Sequence, residues 1–95
     1  ALDPASGEFL RGDVEVETRR VMENIKAVLN HISLDYKDIV KTTIFLTDLA
    51  KDFQRVNELY AEILGGWKPA RSTVQVAALP KGAKVEIEVI ACFKK

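Results

Sequence analysis

Lys68-Pro-Ala-Arg-Ser-Thr-Val-Gln-Val-Ala-Ala-Leu-Pro-Lys-Gly-Ala-Lys-Val-Glu-Ile-Glu-Val-Ile-Ala91 divides into two alternating runs separated by turn residues. In the first, Arg71 to Ala77, Val74 and Val76 alternate with Thr73, Gln75 and Ala77. In the second, Lys84 to Phe93, Val85, Ile87, Val89 and Ala91 alternate with Glu86, Glu88, Ile90 and Cys92. A period of two is that of a half-buried strand, and Pro80 with Gly82 supplies turn chemistry, so the stretch reads as a β-hairpin. A strand buried on one side must keep its apolar set there, which fixes register parity. Pairing Ala77 with Lys84 meets that condition. It places Arg71, Thr73 and Gln75 on one polar face with Glu86 and Glu88, and the valines on the opposite face beneath the helices. Arg71 then lies opposite Ile90, four residues from Glu86, which is roughly 13 Å along a strand. One small ligand cannot touch both within one chain, so a site using both is expected between subunits.

Upstream, Asp3-Pro4, Ser6-Gly7 and the approach through Gly12 read as a loop over residues 2–12. Asp13 is a suitable helix N-cap, with Glu15 and Glu17 favourable in the first turn. Val14, Val21, Ile25, Val28, Leu29 and Ile32 recur at helical spacing and predict a helix over 13–32. Ile39-Val-Lys-Thr-Thr-Ile-Phe-Leu-Thr47 is rich in β-branched residues, lies between Asp38 and Asp48, and predicts a strand. A second helix is expected over 52–64. Asp52 is its cap, Phe53, Val56, Tyr60, Ile63 and Leu64 form its stripe, and Gly65-Gly66 stops it. The order helix, strand, helix, strand, strand predicts an α+β fold, two helices on one face of a small sheet. The polar face of that sheet must meet water or another chain, which favours an oligomer.

The 95 residues make a single domain, 1–95, with a modest core. Fourteen basic and fourteen acidic residues give zero formal charge, which argues against a nucleic-acid binder that works through a broad basic field. The lone Cys92 excludes an intrachain disulfide and points to a reducing, cytoplasmic setting. No apolar run approaches the roughly 18 residues of a membrane span, so no membrane partner is expected.

Candidate chemistry is sparse. Arg71 can take a carboxylate bidentately, though the plainer reading of its spacing is a surface ion pair across strands. Glu86 and Glu88 share a face and could serve proton transfer, or they could be a solvated strand face. Asn57 is a poor helix former in mid-helix, and reads as solvated or bonded to the backbone. Trp67 reads as a packing anchor, His31 as a helix-end or exposed residue, and Cys92 as a small packed side chain. One His and one Cys do not supply a usual metal ligand set, and Gly65-Gly66 lacks a phosphate-loop context.

Val40-Lys-Thr-Thr-Ile-Phe-Leu-Thr-Asp-Leu49, Asp52-Phe-Gln-Arg-Val-Asn-Glu-Leu-Tyr60, Pro69-Ala-Arg-Ser72, Leu79-Pro-Lys-Gly82 and Val85-Glu-Ile-Glu-Val-Ile-Ala91 resemble the Rid/YjgF family of reactive-intermediate deaminases. Leu2-Asp-Pro-Ala-Ser-Gly7 is similar to the loop after that family's early strands. The resemblance implies a chorismate-mutase-like fold and a homotrimer with ligand clefts between subunits. It also implies hydrolysis of 2-imino or 2-enamino acids, such as 2-iminopropionate, to 2-keto acids and ammonia, a form of metabolite damage control that needs neither metal nor cofactor. By motif, Arg71 would bind the substrate carboxylate, Glu86 would position or activate water, and Asn57 and Thr73 would line the pocket. Some members carry Cys at the Thr73 position, so a required thiol there is not expected. Family members have two further N-terminal strands bearing a Tyr-Ser motif and a Ser-Gly-Gln segment, and the sequence reads as lacking them. The alternatives are a non-catalytic small-ligand or regulatory module, and the RNA-cleaving, translation-inhibiting activity attributed to some eukaryotic members.

Overall fold

Ile39–Leu46 forms the strand β1, and every other element is placed against it. The computed structural model describes residues 13–93; the loop expected at 2–12 lies outside them. Helix α1 spans Val14–His31, and the Asp13 side chain accepts a hydrogen bond from the Glu15 N–H at its start. Helix α2 spans Leu49–Leu64. Its cap is Asp48, which accepts from the Lys51 N–H, rather than Asp52; Asp52 is buried in the first turn, and the helix begins three residues earlier than its apolar spacing suggested. Gly65 ends it in the left-handed conformation at φ 59°, which only glycine adopts without strain. Strand β2 covers Ala70–Gln75 and β3 covers Val85–Ala91.

The hairpin expected from the last third of the chain does not form. The sheet order is β2-β1-β3, with β1 parallel to β2 and antiparallel to β3. Helix α2 is the crossover that lets two parallel strands neighbour one another. The segment after β2 passes across the end of β1, where the Val76 N–H donates to the Leu46 carbonyl (2.9 Å) and the Thr47 N–H to the Lys84 carbonyl (3.2 Å). Ala77 and Lys84 therefore do not pair, and the parity drawn from that pairing is inverted. Thr42 lies between Arg71 and Val89, Ile44 between Thr73 and Ile87, and Leu46 between Gln75 and Val85. Arg71, Thr73 and Gln75 share the helix-covered face with the β3 apolar set. Glu86 and Glu88 lie on the other face with Val74.

The physical reason is competition for β1. It is the most β-branched run in the chain, and pairing both its edges satisfies its backbone while burying one face under both helices. Met22 of α1, Val56, Tyr60 and Leu64 of α2, and Val85 and Ile87 of β3 close over Ile44 and Leu46. Leu29, Leu34 and Ile39 make a second cluster at the other end. The predicted stripes were partly displaced. Val28 and Phe53 are exposed, whereas Met22 and Leu59 carry burial that spacing alone did not assign. Glu17, expected as a first-turn surface acid, is buried, and one of its oxygens accepts from the Lys84 N–H at 2.8 Å.

Outside the core, Asp35 caps the 3-10 turn Tyr36–Asp38. The Tyr36 N–H first, and the Lys26 ammonium second, hold the Asp35 carboxyl below its ordinary pKa of 3.8. A lowered folded-state pKa contributes stability above the unfolded value and loses it as pH falls through the folded value. Asp35→Ala should therefore lower the urea midpoint at pH 7, and the gap to wild type should close as pH falls below 3.8. Ile44→Ala removes a side chain that is 1% exposed between the sheet and both helices. It should cost about 2–5 kcal/mol, read as a melting temperature lower by at least about 8 °C.

Candidate functional site

The candidate cleft is built where α2 runs out and the chain turns into β2. After Leu64 the Gly65-Gly66 turn brings Trp67 back to the start of β1, its backbone N–H donating to the Leu64 carbonyl at 3.2 Å. The Trp67 indole N–H donates to the Ile39 carbonyl at 2.9 Å, so the expected packing anchor is also a wall fixed by a hydrogen bond. Pro69 precedes β2, and Arg71 is the second residue of the strand. Asn57 and Tyr60 face it from α2, three residues apart and so on one helix face. Asn57, Tyr60, Trp67, Lys68, Pro69 and Arg71 enclose a concavity of about 380 Å³, within the range usual for small-ligand sites.

Arg71 is held from two sides. Its guanidinium donates to the Asn57 side-chain carbonyl and lies 5.4 Å from the Tyr60 ring centroid. The Tyr60 hydroxyl donates to Thr42 Oγ1 at 2.8 Å, in full burial. The cation is thus positioned by neutral groups, and no carboxylate among the described residues pairs with it. Glu58 and Glu62 of α2 are engaged elsewhere. Glu58 pairs with Arg55 at 3.4 Å, and Glu62 lies 4.0 Å from Arg19. Glu15 of α1 takes Arg55 at 2.6 Å, and that bond is the first cause of the carboxyl's lowered pKa.

The sequence-predicted residues divide between two faces. Arg71, Asn57 and Thr73 lie on the helix side; Thr73 is half-buried opposite Ile44 and two residues from Arg71. Glu86 and Glu88 stand exposed on the open face, opposite Phe45 and Thr43. The cross-strand ion pair considered for Arg71 is therefore absent. The separation of Arg71 from Glu86 within one chain comes from opposite faces of the sheet, not from distance along a hairpin. His31 is exposed in the last turn of α1, and Cys92 is exposed at the end of β3. Tyr60 and Lys68 were missed as cleft residues. The spacing of Asn57 and Tyr60 was a usable signal for the first, whereas the fold of the Gly65–Pro69 turn carried no such signal for Lys68.

The geometry defines a small α+β domain whose cleft is walled by an arginine that pairs with no carboxylate among the described residues. Comparison with known proteins then gives the family. The model described as endoribonuclease L-PSP matches residues 1–93, and the chain belongs to that family, which includes the Rid and YjgF proteins. It is 58% identical over 90 residues to protein DfrA of Myxococcus xanthus, covering 95% of this chain and 68% of that one. It is 44% identical over 90 residues to the mouse 2-iminobutanoate/2-iminopropanoate deaminase, covering 95% of this chain and 66% of that one. Among solved structures, E. coli TdcF with bound serine superposes with a TM-score of 0.88 at 42% identity, covering 96% of this chain and 72% of that one.

Asn57 is the residue that keeps Arg71 both oriented and available. Asn57→Asp would convert a neutral partner into a competing carboxylate and engage the guanidinium in an ion pair. Calorimetric titration with a small monocarboxylate such as 2-ketobutyrate should show affinity falling by about tenfold or more, equivalent to about 1.4 kcal/mol.

Proposed function

We propose that the protein hydrolyses 2-imino and 2-enamino acids to 2-keto acids and ammonia, without metal or cofactor. The observation that carries this reading is Arg71, a guanidinium oriented by Asn57 and Tyr60 at the wall of a small cleft. Relatives support it: the mouse protein is named for 2-imino acid deamination, and TdcF was solved with an amino acid bound. DfrA, at higher identity, carries a different name.

In the proposed reaction Arg71 grips the substrate carboxylate bidentately and fixes the adjacent C2. Water adds to C2 of the protonated imine, and Glu86 accepts the proton that water loses. The C2 tetrahedral adduct then carries a hydroxyl and an amine. Glu86 returns the proton to the amine and the C–N bond breaks; Glu86 then takes the hydroxyl proton as the C2–O bond becomes the keto group, and passes it to the departing ammonia, which leaves as ammonium. The imine is already electrophilic, so positioning and one base suffice. Thr73 lies two residues along β2 on the same face as Arg71, outside the cleft lining of the single chain.

Arg71 and Glu86 stand on opposite faces of one sheet. A site that uses both therefore takes Arg71 from one chain and Glu86 from another. The open face supports assembly, since Val74 is 40% exposed there beside Phe45 and Ile90 is 54% exposed beside Lys41. A homotrimer closes three such sites by symmetry. No helix among the described residues is long and apolar enough to cross a membrane, and the lone cysteine suits a cytoplasmic role in clearing reactive metabolites.

The test is complementation. Arg71→Ala and Glu86→Gln should each lower imine turnover by at least about 100-fold, within the range for a lost acid–base or positioning group. The assay is a lyase-coupled release of keto acid. Mixing the two variants after unfolding and refolding together should restore part of the activity, because some sites then receive one intact residue from each chain. No recovery in mixed oligomers of demonstrated composition would refute a shared site. Turnover retained by Arg71→Ala would remove Arg71 from the reaction.

A further inference from the structure

Two cations line the candidate cleft and no acid does. Lys68 and Arg71 both contribute to its wall, together with the neutral groups of Asn57, Tyr60, Trp67 and Pro69. Neither cation forms an ion pair among the described residues, and both are exposed. Glu62 of α2 lies toward Arg19 of α1, and Glu58 pairs with Arg55 within α2. Zero net charge makes this local excess of positive charge a feature of the cleft and not of the whole surface.

Two like charges facing one concavity repel, and an anion between them relieves that cost. A single carboxylate satisfies one. Arg71 is fixed, planar and suited to bidentate binding, whereas Lys68 is a point charge on a flexible stem and suits a terminal group of variable position. Their Cα atoms are three residues apart, which is about 10 Å on extended chain. Both side chains line the same concavity, so one ligand carrying two anionic groups can meet both cations. Trp67 and Tyr60 supply apolar walls for the methylenes between the two carboxylates.

We propose that this cleft selects dicarboxylic 2-imino and 2-keto acids, with Arg71 holding the carboxylate beside the reacting carbon and Lys68 holding the distal one. The assignment of the reacting end rests on the deaminase reading; the preference for a dianion rests on the cleft alone. It makes Lys68 a specificity-determining residue.

The experiment is calorimetric titration of the 95-residue chain with 2-ketobutyrate and with 2-ketoglutarate, at two salt concentrations. The expected result is 2-ketoglutarate binding tighter by about tenfold or more, the margin of one additional charge-assisted contact. Lys68→Gln should erase the difference between the two ligands, Lys68→Arg should keep it, and Arg71→Gln should weaken both. Equal affinity of the wild type for the two acids, or a preference that survives Lys68→Gln, would overturn the proposal. The two readings fail separately. Lys68-dependent discrimination without imine turnover would sink the deaminase assignment and leave this one standing. Arg71- and Glu86-dependent turnover with no preference for the diacid would do the reverse.

Discussion

The double pairing of β1 is the constraint on which the rest of the structure depends. Its two edges are hydrogen-bonded to strands of opposite direction, β2 parallel and β3 antiparallel. Its inner face is sealed: Ile39 and Leu46 are fully buried, and Ile44 is nearly so. A parallel neighbour requires a crossover, so α2 must lie over the sheet between β1 and β2. An antiparallel neighbour on the other edge requires the chain to pass around the end of β1, and the 3-10 turn at Pro80–Gly82 lies on that path. Once β1 is central, the faces of β2 and β3 follow from register.

The same constraint builds the cleft. Thr42 is a polar residue at 0% exposure in the middle of β1. Its hydroxyl is satisfied by Tyr60 of α2, which avoids the cost of a buried unpaired group. That bond fixes where the Tyr60 ring stands, and the ring underlies the Arg71 guanidinium. Arg71 in turn sits directly beside Thr42 in the parallel register. A buried hydroxyl pair, an aromatic ring and a cation are thus stacked outward from the core to the cleft wall. The position of the cation is inherited from packing, which is how a charged side chain on an edge strand can be held in place while remaining open to ligand.

Much of this was legible before the structure, and the exceptions have a common cause. Helix and strand types followed from periodicity, and Asp13 and Gly65 acted as the terminal signals they resemble. The Pro69-Ala-Arg-Ser72 and Leu79-Pro-Lys-Gly82 elements pointed to the family. The error lay in strand partnership. Alternation within Arg71–Ala77 is a local property, whereas the choice between pairing with β3 and pairing with β1 depends on contacts far apart in sequence. A one-residue difference in parity then exchanges every side chain between faces. Val74, the one valine of β2, misled because an edge strand beyond the helices need not bury its β-branched residues; it faces outward at 40% exposure. The polar inward set, Arg71, Thr73 and Gln75, is stable there because each lies at the margin of the helix layer. Gln75 accepts from the Leu49 N–H at 2.8 Å, which satisfies an unpaired donor at the start of α2.

Placing Arg71 and Glu86 on opposite faces changes what a shared site means. On one polar face, a neighbouring chain would have been needed only to bridge a gap along the strand. With the residues back to back, no motion within the sheet can bring them together, because strand faces are fixed by the pleat. Any chemistry that uses both must be assembled by apposing one chain's edge, where Arg71 sits, to another chain's open face, where Glu86 sits. The contact between subunits and the catalytic constellation then become one interface. If the site is shared in this way, substitutions that loosen the open face, at Phe45 or Val74 for example, separate its two halves without touching Arg71 or Glu86. Oligomerisation in such a design is a condition of chemistry, and affinity between chains limits activity at low concentration.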